Sequence, residues 1–447
     1  MSNKKKGAAP SQAGIYDARE LGTPKMLILG LQHMFAMFGA TVLVPILTGL
    51  PVSAALLFAG LGTLLFHAVT GGIVPAFLGS SFAFIGGYNA ITNNGANLEL
   101  LPYACAGVAC AGFMYVILSA LFKVFGVKKV MKFFPPIVTG PIIICIGINL
   151  SSSAINNCIT NWPIAILAIA VVVVCNIWGK GMIKIIPILL GVIISYAVAA
   201  VTGGVDFTAV KEAAWFGIPF QWKDTVFSLF GSEGFDSGIL ISAIFTIVPL
   251  SLATMVEHIG DVCAISSTCE RNFVSNPGLH RTLLGDGLAT TLASLFGAPA
   301  NTTYGENTGV LALSRVYDPR VIRLAALFAI VFSFSPKFAA LISAMPDATI
   351  GGISLILYGM ISAVGVRNIV ENQVDFTNSR NVIIAALIMV LAIGINNSIG
   401  SVSIGFASLS GLAVASIVGI VLNAVLPGKD YEFVQDDKGS ESVNFKV

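Results

Sequence analysis

Charge is scarce in this chain. Its 447 residues include 24 Lys and Arg and 22 Asp and Glu, 10% of the total. With 56% hydrophobic residues and a mean hydropathy of +0.89, that scarcity excludes a soluble globular core. The formal net charge of +2 leaves no basic excess for nucleic acid. Cysteine is equally uninformative as a framework. There are seven, an odd number without regular spacing, and four fall inside apolar runs, which argues against a disulfide scaffold. Cys263 and Cys269 lie near His258, but no pair has the spacing of zinc ligands, so no metal is expected. Also missing are a phosphate-cradling P-loop, the paired His of a metalloprotease helix and a nucleophile elbow. Neither an ATP-driven pump nor an enzyme has a supporting motif, and no cofactor is implied. No cleavable signal peptide is visible: Lys4, Lys5 and Lys6 precede a first apolar run long enough to span.

What is present is a succession of apolar runs, many near the 17–25 residues a bilayer requires. Up to fourteen can be counted, near 27–45, 54–73, 76–92, 103–122, 135–153, 162–178, 183–202, 237–256, 283–297, 301–315, 321–342, 346–364, 382–397 and 402–426. The longest polar insertion, about 203–236, divides them into two sets of seven, and odd-numbered halves must be inverted relative to one another. With the N-terminus inside and every run crossing, all but three of the Lys and Arg fall on the cytoplasmic side. The exceptions are Lys211, Lys223 and Lys337. That asymmetry is what the positive-inside rule expects. It places both termini in the cytoplasm, with 428–447 a polar cytoplasmic tail.

Two runs break the pattern. Run 3 reads Pro75-Ala-Phe-Leu-Gly79-Ser80-Ser81-Phe82, and run 10 reads Pro299-Ala-Asn-Thr-Thr-Tyr304-Gly305-Glu306. Both are short, start with Pro-Ala and turn polar near the middle. Gly305 and Gly309 weaken a helix, and the Asn and Thr side chains compete for its backbone hydrogen bonds. Irregular polar backbone survives at membrane depth only where protein buries it or a cavity wets it. Paired broken segments at matching positions of inverted halves point to a midplane binding site. Close packing of small residues is the blander account of either segment alone.

Ionisable groups in or at the ends of apolar runs, with no adjacent countercharge, are functional-site candidates. Here they are His33, Glu257, His258 and Glu306. Asp261 lies one helical turn after Glu257, on the same face, whereas His258 points about 100° away. A carboxyl that can be neutral or charged is what proton coupling needs. Asp261 also reads as a solvated helix-end residue, and His258 as an orienting partner. His67 reads as a packed or capping His, and Asp286, in Leu-Gly-Asp-Gly, as a turn or helix-start residue.

Several motifs carry a resemblance. Gln32-His33-Met34-Phe35-Ala36-Met37-Phe38-Gly39-Ala40-Thr41-Val42-Leu43-Val44-Pro45 is similar to the first-helix signature of the nucleobase–ascorbate transporter family, in its uracil permease branch. So are Gly79-Ser80-Ser81-Phe82, Glu257-His258-Ile259-Gly260, Pro277-Gly278-Leu279-His280-Arg281 and Asn301-Thr302-Thr303-Tyr304-Gly305-Glu306-Asn307. The resemblance spans residues 25–427. It implies an all-α polytopic membrane protein with 14 transmembrane segments in two inverted seven-segment repeats. Short β-strands in broken segments 3 and 10 would pair. A core domain (20–132 plus 237–345) would move against a gate domain (133–236 plus 346–427).

Carried over by motif, Glu257 and Glu306 would accept hydrogen bonds from the ring N–H groups of uracil. Backbone N–H groups of Phe82 and Gly305 would donate to its carbonyls, and Ala40, Phe82 and Tyr304 would shape the pocket. Glu257, His258 and Asp261 are the proton-coupling candidates. The function implied is uracil uptake by proton symport across the cytoplasmic membrane. The partners are the nucleobase, a proton and the lipid bilayer, with no nucleic acid and a homodimer as a possible assembly. One departure matters: the branch usually places His where this chain has Asp261, and purine-type members more often carry Asp. A xanthine or purine permease of the same fold, coupled to protons or sodium, is therefore the alternative. An anion carrier of related architecture is disfavoured, because runs 1, 3 and 8 and the centre of run 10 offer no Arg or Lys.

Overall fold

The computed structural model describes residues 14–93, 95–230, 234–404 and 407–428. The side chains of Met131, Met182, Ile185, Glu306, Leu313 and residues 403–408 are outside that description, as is the tail beyond 428. The chain is predominantly helical. From the N-terminus run α1 (Thr23–Thr48), α2 (Val52–Val69), β1 (Leu78–Ser80), α3 (Ile85–Thr92), α4 (Leu101–Phe125), α5 (Val127–Met131), α6 (Pro136–Ile159) and α7 (Trp162–Ile177). Then come α8 (Met182–Ile185), α9 (Pro187–Val201), α10 (Thr208–Glu212), α11 (Ser237–Ile247), α12 (Ser251–Thr268), α13 (Leu279–Leu295), β2 (Asn301–Thr303) and α14 (Gly305–Ser314). The chain closes with α15 (Pro319–Ser333), α16 (Pro336–Ser343), α17 (Asp347–Glu371), α18 (Ser379–Ser398), β3 (Ser401–Ile404), β4 (Ala407–Ser410) and α19 (Gly411–Val425).

Among the described residues, seven helices are long and apolar enough to cross a membrane, or eight if the bent pair α15–α16 counts as one. Three shorter apolar helices, α7, α9 and α19, accompany them. Two runs differ from their sequence reading. The run at 321–342 is bent by 89° between α15 and α16. Pro336 explains the break, because it lacks the N–H to continue the helix and disfavours α geometry at Ser335. The run at 402–426 is a hairpin followed by a helix. Ser401-Val402-Ser403-Ile404 alternates polar and apolar residues, a strand period, and β3 pairs antiparallel with β4.

Helices pack in two neighbourhoods. In one, α13 lies between α4 and α2, and α15 runs along α2 and α1. In the other, α17 packs along α6 and α7, α7 along α9, and α18 along α6 and α19. Small residues allow the closest approach: a side chain at Gly147 would run into the Tyr358 carbonyl, and one at Gly365 into the Gly140 carbonyl. Lipid offers no hydrophobic drive between helices, so such close backbone contact is where dispersion accumulates.

Candidate substrate site

The site begins as a problem of backbone satisfaction. Two chain segments leave the helical state inside an apolar body, and each must find hydrogen-bond partners there. They find each other. β1 and β2 pair antiparallel, with Leu78 opposite Thr303, Gly79 opposite Thr302 and Ser80 opposite Asn301. The ladder is extended by Tyr304 N–H donating to the Phe77 carbonyl at 3.0 Å and Ser81 N–H to the Ala300 carbonyl at 2.8 Å. Side chains from neighbouring helices finish the job. Thr63 on α2 bonds both the N–H and the carbonyl of Leu78, and Thr290 on α13 donates to the Asn301 carbonyl at 2.7 Å.

Tyr304 locks the two strands to α1. Its hydroxyl donates to the Ser80 carbonyl at 2.8 Å and receives the Thr41 hydroxyl at 3.3 Å. Ser80 in turn donates to the Thr41 carbonyl at 3.0 Å. The ring lies where a side chain at Gly79 would be, so glycine is required by the close approach. Ala40, next to Thr41, is buried on the same stretch of α1.

From this pair, α3 and α14 lead away in opposite halves of the chain. Gly305 opens α14, and its N-cap Tyr304 provides no side-chain cap. The first turn of a helix presents N–H groups and a partial positive charge. Asp261 of α12 faces that end: its Oδ2 accepts the Thr303 hydroxyl at 2.9 Å, and its Oδ1 lies about a van der Waals contact from where a Gly305 side chain would begin. Asp261 is buried, not the solvated helix-end residue its position also allowed. Glu257 lies one turn earlier on α12 and is half-buried. Glu306 occupies the second position of α14; its side chain lies outside the described ones.

Opposite the strand pair stands a residue that sequence reading missed. Tyr358 of α17 meets the Phe82 ring edge to face, with centroids 5.8 Å apart. Both are buried. Tyr358 had no signal in the sequence, because a lone aromatic in an apolar helix reads as packing.

Behind the site sits a second buried group. His258 Nδ1 lies 2.7 Å from Asp286 Oδ2, and neither side chain is exposed. The contact has ion-pair length without hydrogen-bond alignment. Asp286 is therefore not a turn residue. It sits inside α13. The flanking glycines mislead because they serve packing: Gly285 faces Phe66 and Gly287 faces Tyr115, both too near for a side chain. His33 approaches Asn307 of α14 at 3.5 Å, also buried. His67 is buried and holds the Ala76 carbonyl through Nε2 at 3.0 Å, just ahead of β1.

An apolar helical body with two broken segments paired inside it and the buried Asp261 carboxylate at their junction makes a membrane transport protein, not an enzyme. The chain belongs to the family whose model, Xan_ur_permease, is described as "Permease family" and matches residues 24–401. It is 40% identical over 412 residues to the uracil permease of Bacillus caldolyticus, covering 90% of this chain and 92% of the relative. It is 37% identical over 418 residues to the uracil permease of Escherichia coli K12, covering 89% and 90%. Among solved structures, the transmembrane domain of the cyanobacterial bicarbonate transporter BicA shares the fold. The TM-score is 0.57 at 15% identity, covering 93% of this chain and all of that one.

Proposed function

We propose that this chain takes up uracil by proton symport across the cytoplasmic membrane. The observation that carries the reading is the meeting of α12, with Glu257 and Asp261, and the start of α14, with Gly305 and Glu306, at the β1–β2 pair. Uracil is planar and neutral, with ring N–H donors and carbonyl acceptors. Carboxylates at Glu257 and Glu306 would take the donors, and backbone N–H groups at Phe82 and Gly305 would serve the carbonyls. Ala40, Phe82 and Tyr304 would enclose the ring, with Tyr358 closing the far side. The names of the relatives support the substrate. The fold does not choose it, since a bicarbonate transporter shares that fold.

In this reading the chain forms 14 segments in two inverted repeats, with both termini cytoplasmic. The core (20–132 plus 237–345) carries the strand pair and α12. The gate (133–236 plus 346–427) carries α17. Glu257 exchanges the coupled proton, and His258, held by Asp286, orients α12 behind it. Asp261 fixes β2 through Thr303 and sets the charge beside Glu257.

A second reading, a xanthine or purine permease, draws on Asp261, which stands where the uracil branch usually has His. Uptake of labelled uracil separates the two. Cells lacking their own permeases and expressing this chain should accumulate uracil. Unlabelled uracil should compete better than xanthine or guanine, and a proton uncoupler should abolish accumulation. Uptake of xanthine without uracil would replace the first reading with the second. Accumulation that requires sodium and survives the uncoupler would remove proton coupling alone.

A further inference from the structure

The segment between α9 and α11 is polar enough to be taken for an ordinary surface loop, yet its largest side chains are apolar and uncovered. Trp215 is 70% exposed, Phe216 86% and Ile218 79%, with Trp222 and Phe230 similar. Its backbone is tied down. Gly217 N–H donates to the Phe334 carbonyl at 3.0 Å, and Lys337 N–H donates to the Ala214 carbonyl at 2.9 Å. Further along, Phe220 packs with Phe58 of α2 and with Phe296 beyond α13, at centroid distances of 6.4 and 5.4 Å. The exposed rings thus stand on an anchored platform.

The platform lies at a corner. α15 runs beside α1 and α2, both span candidates, so it follows their direction. α16 turns 89° from it and packs against α10 and α2. With α15 spanning as proposed above, that direction is along the membrane plane. The exposed row of Leu327 and Val331 on α15 and Phe334 at its C-cap leads to this corner, where Gly217 is bonded to Phe334. Lys337 on α16 places its ammonium 4.9 Å from the Trp215 ring centre. Lys211, Lys223 and Lys337 are also the three basic residues that the charge pattern leaves on this side. Tryptophan and lysine side by side, at the end of an apolar row, is the chemistry of a headgroup layer. Asp206, Glu212 and Asp224 keep the segment close to neutral, which fits a bilayer interface without demanding anionic lipid.

We propose that residues 207–223 and α16 form a monotopic platform whose exposed face rests in the headgroup layer of the leaflet opposite the N-terminus. This joins the inference to the spanning reading above, because α16 leads from α15 into α17 and the segment leads from α9 into α11. Both connections between the proposed core and gate on that side would then be seated on the membrane.

The test uses the full chain with Trp162→Phe and Trp178→Phe, leaving Trp215 and Trp222 of the four tryptophans. It is reconstituted in phosphatidylcholine vesicles brominated either near the headgroup or near the chain end. We expect blue-shifted emission, quenched several-fold more by the shallow bromine than by the deep one or by aqueous iodide. Adding Trp215→Phe or Trp222→Phe assigns the signal to one ring. Strong iodide quenching without bromine quenching would put the platform in water and overturn the proposal. Protection from all three quenchers would overturn it too, by placing the rings under protein, a second copy of the chain. The complementary variant, Trp215→Phe with Trp222→Phe, keeps Trp162 and Trp178 as a control on the spanning reading: if lipid bromine fails to reach those rings, spanning fails first. Iodide added outside sealed vesicles reports orientation separately.

Discussion

The two broken segments use one backbone device for two different purposes. β1 and β2 contribute three residues each to the same ladder, and each is followed by a helix start. After β1 and the buried Ser81 the chain reads Phe82-Ala-Phe-Ile85, and all four are buried. After β2 it reads Tyr304-Gly-Glu-Asn307, with a carboxyl and an amide in the first turn. The first segment can offer a wall and backbone N–H groups. The second adds titratable and hydrogen-bonding side chains, and its Thr303 is bonded to the acidic Asp261. Pairing lets one segment be specialised for shape and the other for chemistry, while the ladder holds both at one depth.

The largest effect should come from the chemical side. Glu306→Gln keeps the shape of the side chain but replaces one acceptor oxygen with a donor amide. If Glu306 accepts a ring N–H in a dry site, the mismatch costs roughly 2–4 kcal/mol of binding. Each 1.4 kcal/mol is about tenfold, so affinity should fall roughly thirtyfold or more. The measurement is labelled uracil binding to purified, correctly inserted protein. Parent-like binding would remove the division of labour between the segments.

A smaller effect should come from the joint itself. Tyr304→Phe removes the hydroxyl that bonds the Ser80 carbonyl and meets Thr41. Losing a buried hydrogen bond and leaving a carbonyl short of a donor costs about 1–3 kcal/mol. Uptake should drop about tenfold, mostly through substrate affinity, since ring and carboxylates stay. Gly79→Val attacks the same joint from the other strand, because its side chain would collide with the Tyr304 ring. It should reduce uptake at least as far. If Gly79→Val is tolerated while Tyr304→Phe is not, the strands are not held as one unit.

These sites differ in how much of them the sequence exposes. The β2 segment was readable because Asn, Thr, Tyr and Glu are costly in an apolar run, and cost at membrane depth is a signal. The β1 segment was readable mainly by its place, short and Gly-interrupted. Asp286 was misread for a physical reason: glycine on both sides of an Asp predicts a turn, and only the packed neighbours Phe66 and Tyr115 show that the glycines make room for helices. The role of Asp261 depended on which residue faces it across the fold, namely Thr303, forty-two positions away. The bend at Ser335-Pro336 was marked in sequence by its proline, but hydropathy averaged it away.

The smallest effect should come from the wall. Phe82 meets Tyr358 edge to face, so a ring pair joins the shape-giving segment to α17. Such a pair is worth about 0.5–1.5 kcal/mol beyond its buried area. Tyr358→Leu should therefore lower uptake about threefold to tenfold, and Phe82→Leu should do the same, because either removes the pair. The double variant should be little worse than either single one, since contacting residues share one interaction energy. Tyr358→Phe keeps the ring and should stay within about twofold of the parent, as the contact needs no hydroxyl. The measurement is initial uptake of labelled uracil for all four, normalised to protein in the membrane. Strictly additive losses would show that Phe82 and Tyr358 act separately. A loss in Tyr358→Phe as large as in Tyr358→Leu would show that the hydroxyl carries chemistry, and the wall would no longer be the purely apolar half of the comparison.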